Sequence, residues 1–330
     1  FLPQIVILFF FIILLEDFGY MARAAFLMDR LMAGTGLHGR AFIPLLSSFA
    51  CAIPGIMAAR VIENRRDRIA TILVAPLMTC SARLPVYTLI IAAFVPEDAR
   101  IAGFGLQGLT MFALYATGIL SALAFAFVLK KLVWKEQPEP FIMELPDYKW
   151  PVPKNVAIGL WLRAGAFLRR AGTIILAIMI LIWFLSTFPA PPEGAEGPAI
   201  DWSFAGRLGH FLEPVFAPIG FTWQIVVALI PGMAAREVAV GALGTIYALS
   251  ATGDEVGEAL KPILSQQWSL ATALSFLVWY VFAPQCASTI AVIKRETNSW
   301  LWPTIHFVAM FALAYAASFA TYHVVEVLTR

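Results

Sequence analysis

The sequence predicts an all-α, polytopic membrane protein. Of its 330 residues, 60% are hydrophobic and 13% are charged, and the mean hydropathy is +0.80. A soluble globular domain is only about half apolar. Several apolar runs reach or approach the roughly 20 residues that a helix needs to cross a bilayer. Examples are residues 1–15, 171–188 and 270–282. Lipid rather than water is therefore the expected solvent of most of the chain.

The charged loops predict how these spans are oriented. Lys and Arg concentrate around residues 23–40, 60–68, 130–170 and 294–295, and the positive-inside rule assigns such loops to the cytoplasm. Acidic or Pro- and Gly-rich loops alternate with them at 96–98, 189–201 and 254–258. The predicted spans are 1–20, 69–94 and 104–129 in the first half, and 171–188, 268–293 and 300–327 in the second.

Two further apolar segments are interrupted and are predicted to be re-entrant hairpins of opposite orientation. Residues 42–59 lie between basic loops, and residues 221–250 lie between acidic ones. The run IPGIMAAR at 53–60 recurs as IPGMAAR at 230–236, and in each half the hairpin precedes a span broken at Ala-Pro. The predicted gate and hairpin residues are Pro54 with Gly55, Pro76, Pro231 with Gly232, and Pro284.

This order of elements predicts an inverted-topology repeat, an architecture in which substrate sites lie near mid-membrane at broken helices. The first repeat is residues 1–129 and the second is 171–330. Residues 130–170 form a cytoplasmic linker that contains an amphipathic helix. The chain does not begin with Met and is interpreted as a piece of a longer protein.

All three cysteines lie close to the helix breaks. Cys51 precedes Pro54, Cys80 follows Pro76, and Cys286 follows Pro284. Proline frees backbone carbonyls, and a borderline-soft divalent metal such as Fe(II) accepts carbonyl and thiolate ligands. The predicted metal ligands are Cys51, Cys80, Cys286 and Met78. The alternative interpretation is that cysteine and proline only relax helix packing among small residues.

Three charged residues fall nearest to the hydrophobic interior, namely Arg83, Arg236 and Glu237. Charges inside a membrane are functional candidates by default, although Arg236 and Glu237 could instead form a structural pair at an interface. The net charge of +2 favours no nucleic-acid partner. The GxGxxG run at 34–39 follows a span rather than a strand, and no GxxxxGK[ST] run occurs. The chain is therefore not expected to be an enzyme.

Six segments of the sequence resemble the membrane domain of FeoB proteins, a family of bacterial ferrous-iron transporters. They are LPQIVILFF at 2–10, LEDFGYMARAAFLMDR at 15–30, GTGLHGR at 34–40, FACAIPGIMAAR at 49–60, PLMTCSARLPVY at 76–87 and APQCAST at 283–289. The resemblance covers nearly the whole chain.

The resemblance implies two Gate motifs in inverted orientation and Fe(II) uptake across the bacterial inner membrane. It places Cys51, Cys80 and Cys286 along the permeation path. It also implies an N-terminal G domain, absent from this sequence, that uses GTP and Mg, together with small accessory Feo proteins and surrounding lipid. A homo-oligomer is left open. Two alternatives remain: a Gate-fold carrier for an organic solute such as a nucleoside, and a non-transporting membrane scaffold or receptor.

Overall fold

The computed structural model describes residues 2–96, 98–101, 103–134, 148–189, 202–234, 236, 238–247, 255–284 and 286–329. Within these ranges the chain is almost entirely helical. The described strands are β1 (Arg100–Ile101) and β2 (Phe104–Gly105), which pair antiparallel. The predicted all-α class is confirmed.

The helices of the first half are α1 (Leu2–Asp17), α2 (Tyr20–Gly34), α3 (Phe42–Ser48), α4 (Ala52–Ala58), α5 (Arg65–Val74), α6 (Leu84–Phe94) and α7 (Leu106–Phe127). Those that follow are α8 (Pro153–Phe167), α9 (Thr173–Thr187), α10 (Phe204–Phe216), α11 (Trp223–Ala234), α12 (Val238–Ile246), α13 (Glu255–Gln267), α14 (Leu270–Phe282), α15 (Ala287–Thr297) and α16 (Leu301–Thr329). Short 3₁₀ turns lie at Gly39–Ala41, Ala59–Val61, Ala75–Leu77, Ser81–Arg83 and Ala217–Ile219, and π-helical turns lie at Val128–Val133 and Leu168–Gly172.

By length and composition, four helical segments of the described chain are able to cross a membrane. They are Arg65–Phe94, Leu106–Lys131, Leu270–Thr297 and Leu301–Thr329. Each overlaps a predicted span. A fifth is added if Phe204–Ile219 and Trp223–Met233, which meet at an angle of 102°, are counted as one broken span. The several apolar helices fit the predicted multi-pass membrane placement.

The two remaining predicted spans are helical but short. Helix α1 has 16 residues and α9 has 15, whereas a helix needs about 20 residues to cross the hydrocarbon core. That residues 1–20 and 171–188 cross the membrane stays a prediction.

The break in the first hairpin lies elsewhere than the sequence predicted. Helix α3 ends at Ser48 and α4 begins at Ala52, so the interruption is at residues 49–51 and not at Pro54-Gly55. Pro54 lies in the first turn of α4, where backbone N–H groups have no intrahelical acceptor and the missing N–H of proline costs nothing. Gly55 is needed for packing, because a Cβ there would lie 2.0 Å from Ser48 Oγ.

The second hairpin shows a similar shift, in the opposite direction. Helix α11 runs through Pro231 and Gly232 and ends at Ala234, and α12 begins at Val238. The break therefore follows the Pro-Gly pair by a few residues. A Cβ on Gly232 would lie 2.7 Å from Tyr280 Oη and 3.2 Å from Ala239 Cβ, so this glycine lets α12 and α14 each approach α11 closely.

The chain divides into two compact units, and each has its own core. The first unit comprises residues 1–81, 118–174 and 288–303, and the second comprises 82–117, 175–287 and 304–330. In the first unit α8 packs on α1 through Phe9, Ile13 and Val156. In the second unit an aromatic cluster centres on Phe221, whose ring centroid is 5.8 Å from those of both Phe276 and Trp279. The assignment of residues 1–129 and 171–330 as repeats stays a prediction.

Candidate functional site

In the first unit, the chain leaves helical geometry directly after Pro76. The 3₁₀ turn Ala75–Leu77 follows α5, and Met78 then adopts an extended backbone conformation. Proline has no N–H to donate to the preceding turn, so an interruption here is expected. Met78, Thr79 and Cys80 between the two 3₁₀ turns are all buried. Two of the predicted metal ligands therefore lie in one irregular and enclosed stretch.

The break of the first hairpin is joined to this stretch by a hydrogen bond. Ser81 Oγ donates to the carbonyl of Ala50 at 2.7 Å. Ala50 precedes Cys51, whose backbone is extended and whose side chain is half-buried, and Ser81 follows Cys80. The hydrogen bond thus holds together the two breaks that carry Cys51 and Cys80.

A glycine of α7 lies against the same stretch. A Cβ on Gly118 would lie 2.6 Å from Thr79 Oγ1 and 3.5 Å from the carbonyl of Leu77. The Thr79 hydroxyl is buried and has no hydrogen-bond partner among the described residues. Sequence reasoning missed Gly118, because a glycine in an apolar span gives no signal of which break it faces.

In the second unit, Arg236 binds the carbonyls at the other Ala-Pro break. It is 3% exposed. Its Nη1 donates to the carbonyl of Tyr280 at 2.9 Å, and its Nη2 donates to those of Ala283 and Pro284 at 2.7 and 2.8 Å. These carbonyls lie in or just beyond the last turn of α14, where no intrahelical donor remains. Cys286 is half-buried and follows Pro284 by two residues.

The other predicted charged residues are placed as follows. Arg83 is almost fully buried, at 1% exposure, at the start of α6. Glu237 lies outside the described residues, so its pairing with Arg236 is not tested.

A buried ion pair in the first unit was not foreseen. Lys130 Nζ lies 2.5 Å from Asp67 Oδ1, and both side chains are shielded from solvent. The sequence had placed Lys130 at the start of the cytoplasmic linker, whereas it lies in the π-helical turn after α7. Asp67 lies in the first turn of α5, which Asn64 caps. Lys130 and Lys131 follow a long apolar run, and lysines at such a place are typical of a loop, so no feature of the sequence pairs Lys130 with Asp67.

The first unit also encloses an apolar cavity of about 510 Å³. Phe9, Ile12, Ile53 and Met57 are among its lining residues, and Glu16, Arg163, Arg295 and Glu296 also border it. Apolar side chains make up most of its wall, and its charged residues include two carboxylates, Glu16 and Glu296. It lies beside Pro54, and so next to the hairpin that carries Cys51.

No group of three or more His, Cys, Asp or Glu side chains is brought together anywhere in the described ranges. His38 Nδ1 accepts a hydrogen bond from the N–H of Arg40 at 3.1 Å and so caps the turn before α3. An ion at the breaks would accordingly need carbonyl or hydroxyl ligands in addition to a thiol.

Two family models match the chain. The Gate model, described as nucleoside recognition, matches residues 1–94 and 168–300. A second model, described as ferrous iron transport protein B C terminus, matches residues 111–163. No solved structure gave a significant match.

Curated relatives are similar over nearly the whole chain. A Fe(2+) transporter FeoB of Leptospira interrogans is 45% identical over 98% of this chain, and one of Staphylococcus aureus is 41% identical over 98%. A Fe(2+) transport protein A/Fe(2+) transporter FeoB fusion protein of Porphyromonas gingivalis is 40% identical over 98%. These matches cover 48%, 46% and 42% of the relatives themselves, so the chain spans about half the length of the curated relatives it matches.

Proposed function

Because this chain belongs to the FeoB family of Fe(2+) transporters, we propose that it forms the path by which ferrous iron crosses the bacterial inner membrane into the cytoplasm. The observation that carries the proposal is the hydrogen bond from Ser81 to Ala50, which joins the breaks of Cys51 and Cys80. The half-buried Cys51 therefore lies on a segment that is bound to the stretch of the buried Met78 and Cys80, which supports a shared role for their sulfur atoms.

The ligand chemistry of this region suits Fe(II). A borderline divalent metal accepts thiolate and carbonyl donors, and its selection depends on geometry and ligand type more than on raw affinity. Conduction also requires that the ion be released, so a weak and mixed set of ligands is better suited than a closed cage of thiolates. We assign Cys51, Cys80 and Met78 to one part of the path and Cys286 to another.

The gate residues and the orientation of the spans belong to the same proposal. Basic loops on the cytoplasmic side and acidic loops outside would give the two hairpins opposite orientations. Iron would then enter from the periplasm and leave after a movement of the hairpins, the kind of alternating access that inverted-repeat transporters use. Gly55 and Gly232, which permit close packing beside each break, would accommodate that movement.

Energy coupling would be supplied by other parts of the full-length protein. We propose that GTP and Mg act in a G domain outside these 330 residues and that this chain itself catalyses no reaction. The fusion of a Fe(2+) transport protein A to the relative from Porphyromonas gingivalis supports a small accessory Feo protein as a partner. Surrounding lipid and a homo-oligomer complete the proposed assembly.

A carrier for an organic solute such as a nucleoside is not favoured. The Gate model is described as nucleoside recognition, but the relatives that match 98% of the chain are Fe(2+) transporters.

The test is anaerobic uptake into vesicles that contain the full-length protein. Wild type is expected to take up Fe²⁺ and not a labelled nucleoside, and Cys80→Ala is expected to lower the Fe²⁺ rate at least tenfold. Thr117→Val is the matched control, because Thr117 is exposed on α7 and its hydroxyl binds only the carbonyl of Ala113 in its own helix, at 2.7 Å. Nucleoside uptake without Fe²⁺ uptake would refute the proposal.

A further inference from the structure

The carbonyls at the Ala283-Pro284 break form a site for a positive charge. The C-terminal end of a helix carries about half a negative charge, and its last carbonyls have no intrahelical donor. Three carbonyls converge here, from Tyr280, Ala283 and Pro284. Within the hydrocarbon core such groups are tolerated only when they are buried in protein or line a water-filled cavity.

The guanidinium of Arg236 fills this site. It is always charged and presents several N–H donors in one plane, so a single side chain satisfies all three carbonyls. Its contacts of 2.7 to 2.9 Å are typical of strong hydrogen bonds. The Arg236 Cζ also lies 5.7 Å from the centroid of the Tyr280 ring.

We propose that Arg236 is a tethered cation that occupies the carbonyl cluster next to Cys286 and must leave it before a divalent metal ion binds there. The inference rests on the proposed function, since it assigns a gating role within the same path. A metal ion and a guanidinium are both cations and would compete for the same three oxygens. Like charges placed together in a buried site also repel each other strongly.

The matching arginine of the first hairpin indicates that the motif permits a second position. Arg60 ends the run at 53–60 as Arg236 ends the run at 230–236. The Arg60 side chain is 54% exposed and makes a two-point ion pair with Glu296, at 2.6 and 2.7 Å. The hydrogen bond to Glu296 raises the pKa of Arg60. The same motif thus holds its arginine on backbone carbonyls in one hairpin and on a carboxylate in the other.

The test is anaerobic Fe²⁺ binding to the purified full-length protein. Arg236→Gln removes the charge and is expected to bind Fe²⁺ at least tenfold more tightly than wild type. Arg236→Lys keeps a cation in place and is expected to stay within about threefold of wild type. Arg207→Gln is the control, because Arg207 is exposed on α10 of the same unit. Equal Fe²⁺ affinity of wild type and Arg236→Gln, or equal gains in the Gln and Lys variants, would overturn the proposal.

A measurement on the wild-type protein covers the case in which Arg236→Gln does not fold. Phenylglyoxal modifies accessible arginines, and mass spectrometry locates the adducts. Arg236 is expected to be protected without metal and to become modified at least fivefold faster when Fe²⁺ is saturating. An unchanged rate at Arg236 would mean that the side chain does not leave its carbonyls, which contradicts the proposal.

The failure of this inference can be told apart from the failure of the proposed transport. Absence of Fe²⁺ uptake by wild-type vesicles contradicts the transport function. Normal uptake by wild type, combined with no change in Fe²⁺ affinity in Arg236→Gln, contradicts only the tethered-cation role.

Discussion

Removing the buried cation Lys130 is expected to destabilise the protein by about 3 kcal/mol or more. The side chains of Lys130 and Asp67 are 2% and 6% exposed, and their charged atoms lie 2.5 Å apart. Lys130→Met would leave the Asp67 carboxylate buried without its counter-charge, a change that costs about 3–5 kcal/mol. The position of Asp67 in the first turn of α5 offsets only about 0.3–1 kcal/mol through the helix dipole.

The assay is equilibrium unfolding of the full-length protein in mixed micelles, with an exposed ion pair as control. Arg163 and Glu16 are 2.8 Å apart, but their side chains are 43% and 57% exposed, so Arg163→Met should cost about 1 kcal/mol or less. The double variant Asp67→Leu/Lys130→Met should regain more than half of the loss, because an apolar pair often replaces a buried ion pair without penalty.

A loss below about 1 kcal/mol in Lys130→Met would refute the reasoning. It would mean that the Asp67 carboxylate finds water or another donor once Lys130 is gone. A double variant as unstable as the single one would show that the cost comes from packing of the Lys130 stem and not from charge.

Three further predictions follow from close contacts and caps. Gly36→Ala should cost about 1–3 kcal/mol of unfolding free energy, because Gly36 has a φ of +82° and a Cβ there would lie 2.9 Å from Lys130 Cβ. The unfolding midpoint in denaturant measures this loss, and an unchanged midpoint would contradict the prediction. Gly118→Val should lower Fe²⁺ uptake more than tenfold by displacing Thr79, and unchanged vesicle flux would show that the stretch tolerates the shift. Ser269→Ala should cost about 1 kcal/mol of unfolding free energy, because the Ser269 side chain accepts a hydrogen bond from the N–H of Thr272 at the start of α14. Ser265 is exposed near the end of α13, so Ser265→Ala should be near neutral in the same assay.

Composition and the length of the apolar runs were sufficient to predict the class of fold. Long apolar runs have few structural solutions other than helices in lipid, and the segments Arg65–Phe94, Leu106–Lys131, Leu270–Thr297 and Leu301–Thr329 match predicted spans to within a few residues. The all-α class and the family resemblance were both confirmed.

The exact breaks could not be predicted, because proline acts differently at different positions in a helix. Pro54 lies in the first turn of α4, where it costs nothing, and Pro231 lies inside α11. At Pro76, by contrast, the chain does leave the helix. Sequence places a proline, but tertiary packing decides whether the helix stops before it, at it or after it.

The partners of buried charges were equally hidden. Arg236 was recognised as a charge in an apolar region, but its three carbonyl acceptors lie more than 40 residues away in sequence. Asp67 and Lys130 are separated by two helices. Such pairings depend on how the helices pack, which a hydropathy pattern does not specify.

The most direct test of the central claim is the X-ray absorption spectrum of iron in the Fe²⁺-loaded full-length protein. The account predicts sulfur among the atoms bound to iron in wild type, and its loss together with slower uptake in Cys51→Ala/Cys80→Ala. Oxygen and nitrogen ligands alone, unchanged in that variant, would contradict a path through the breaks that carry these cysteines.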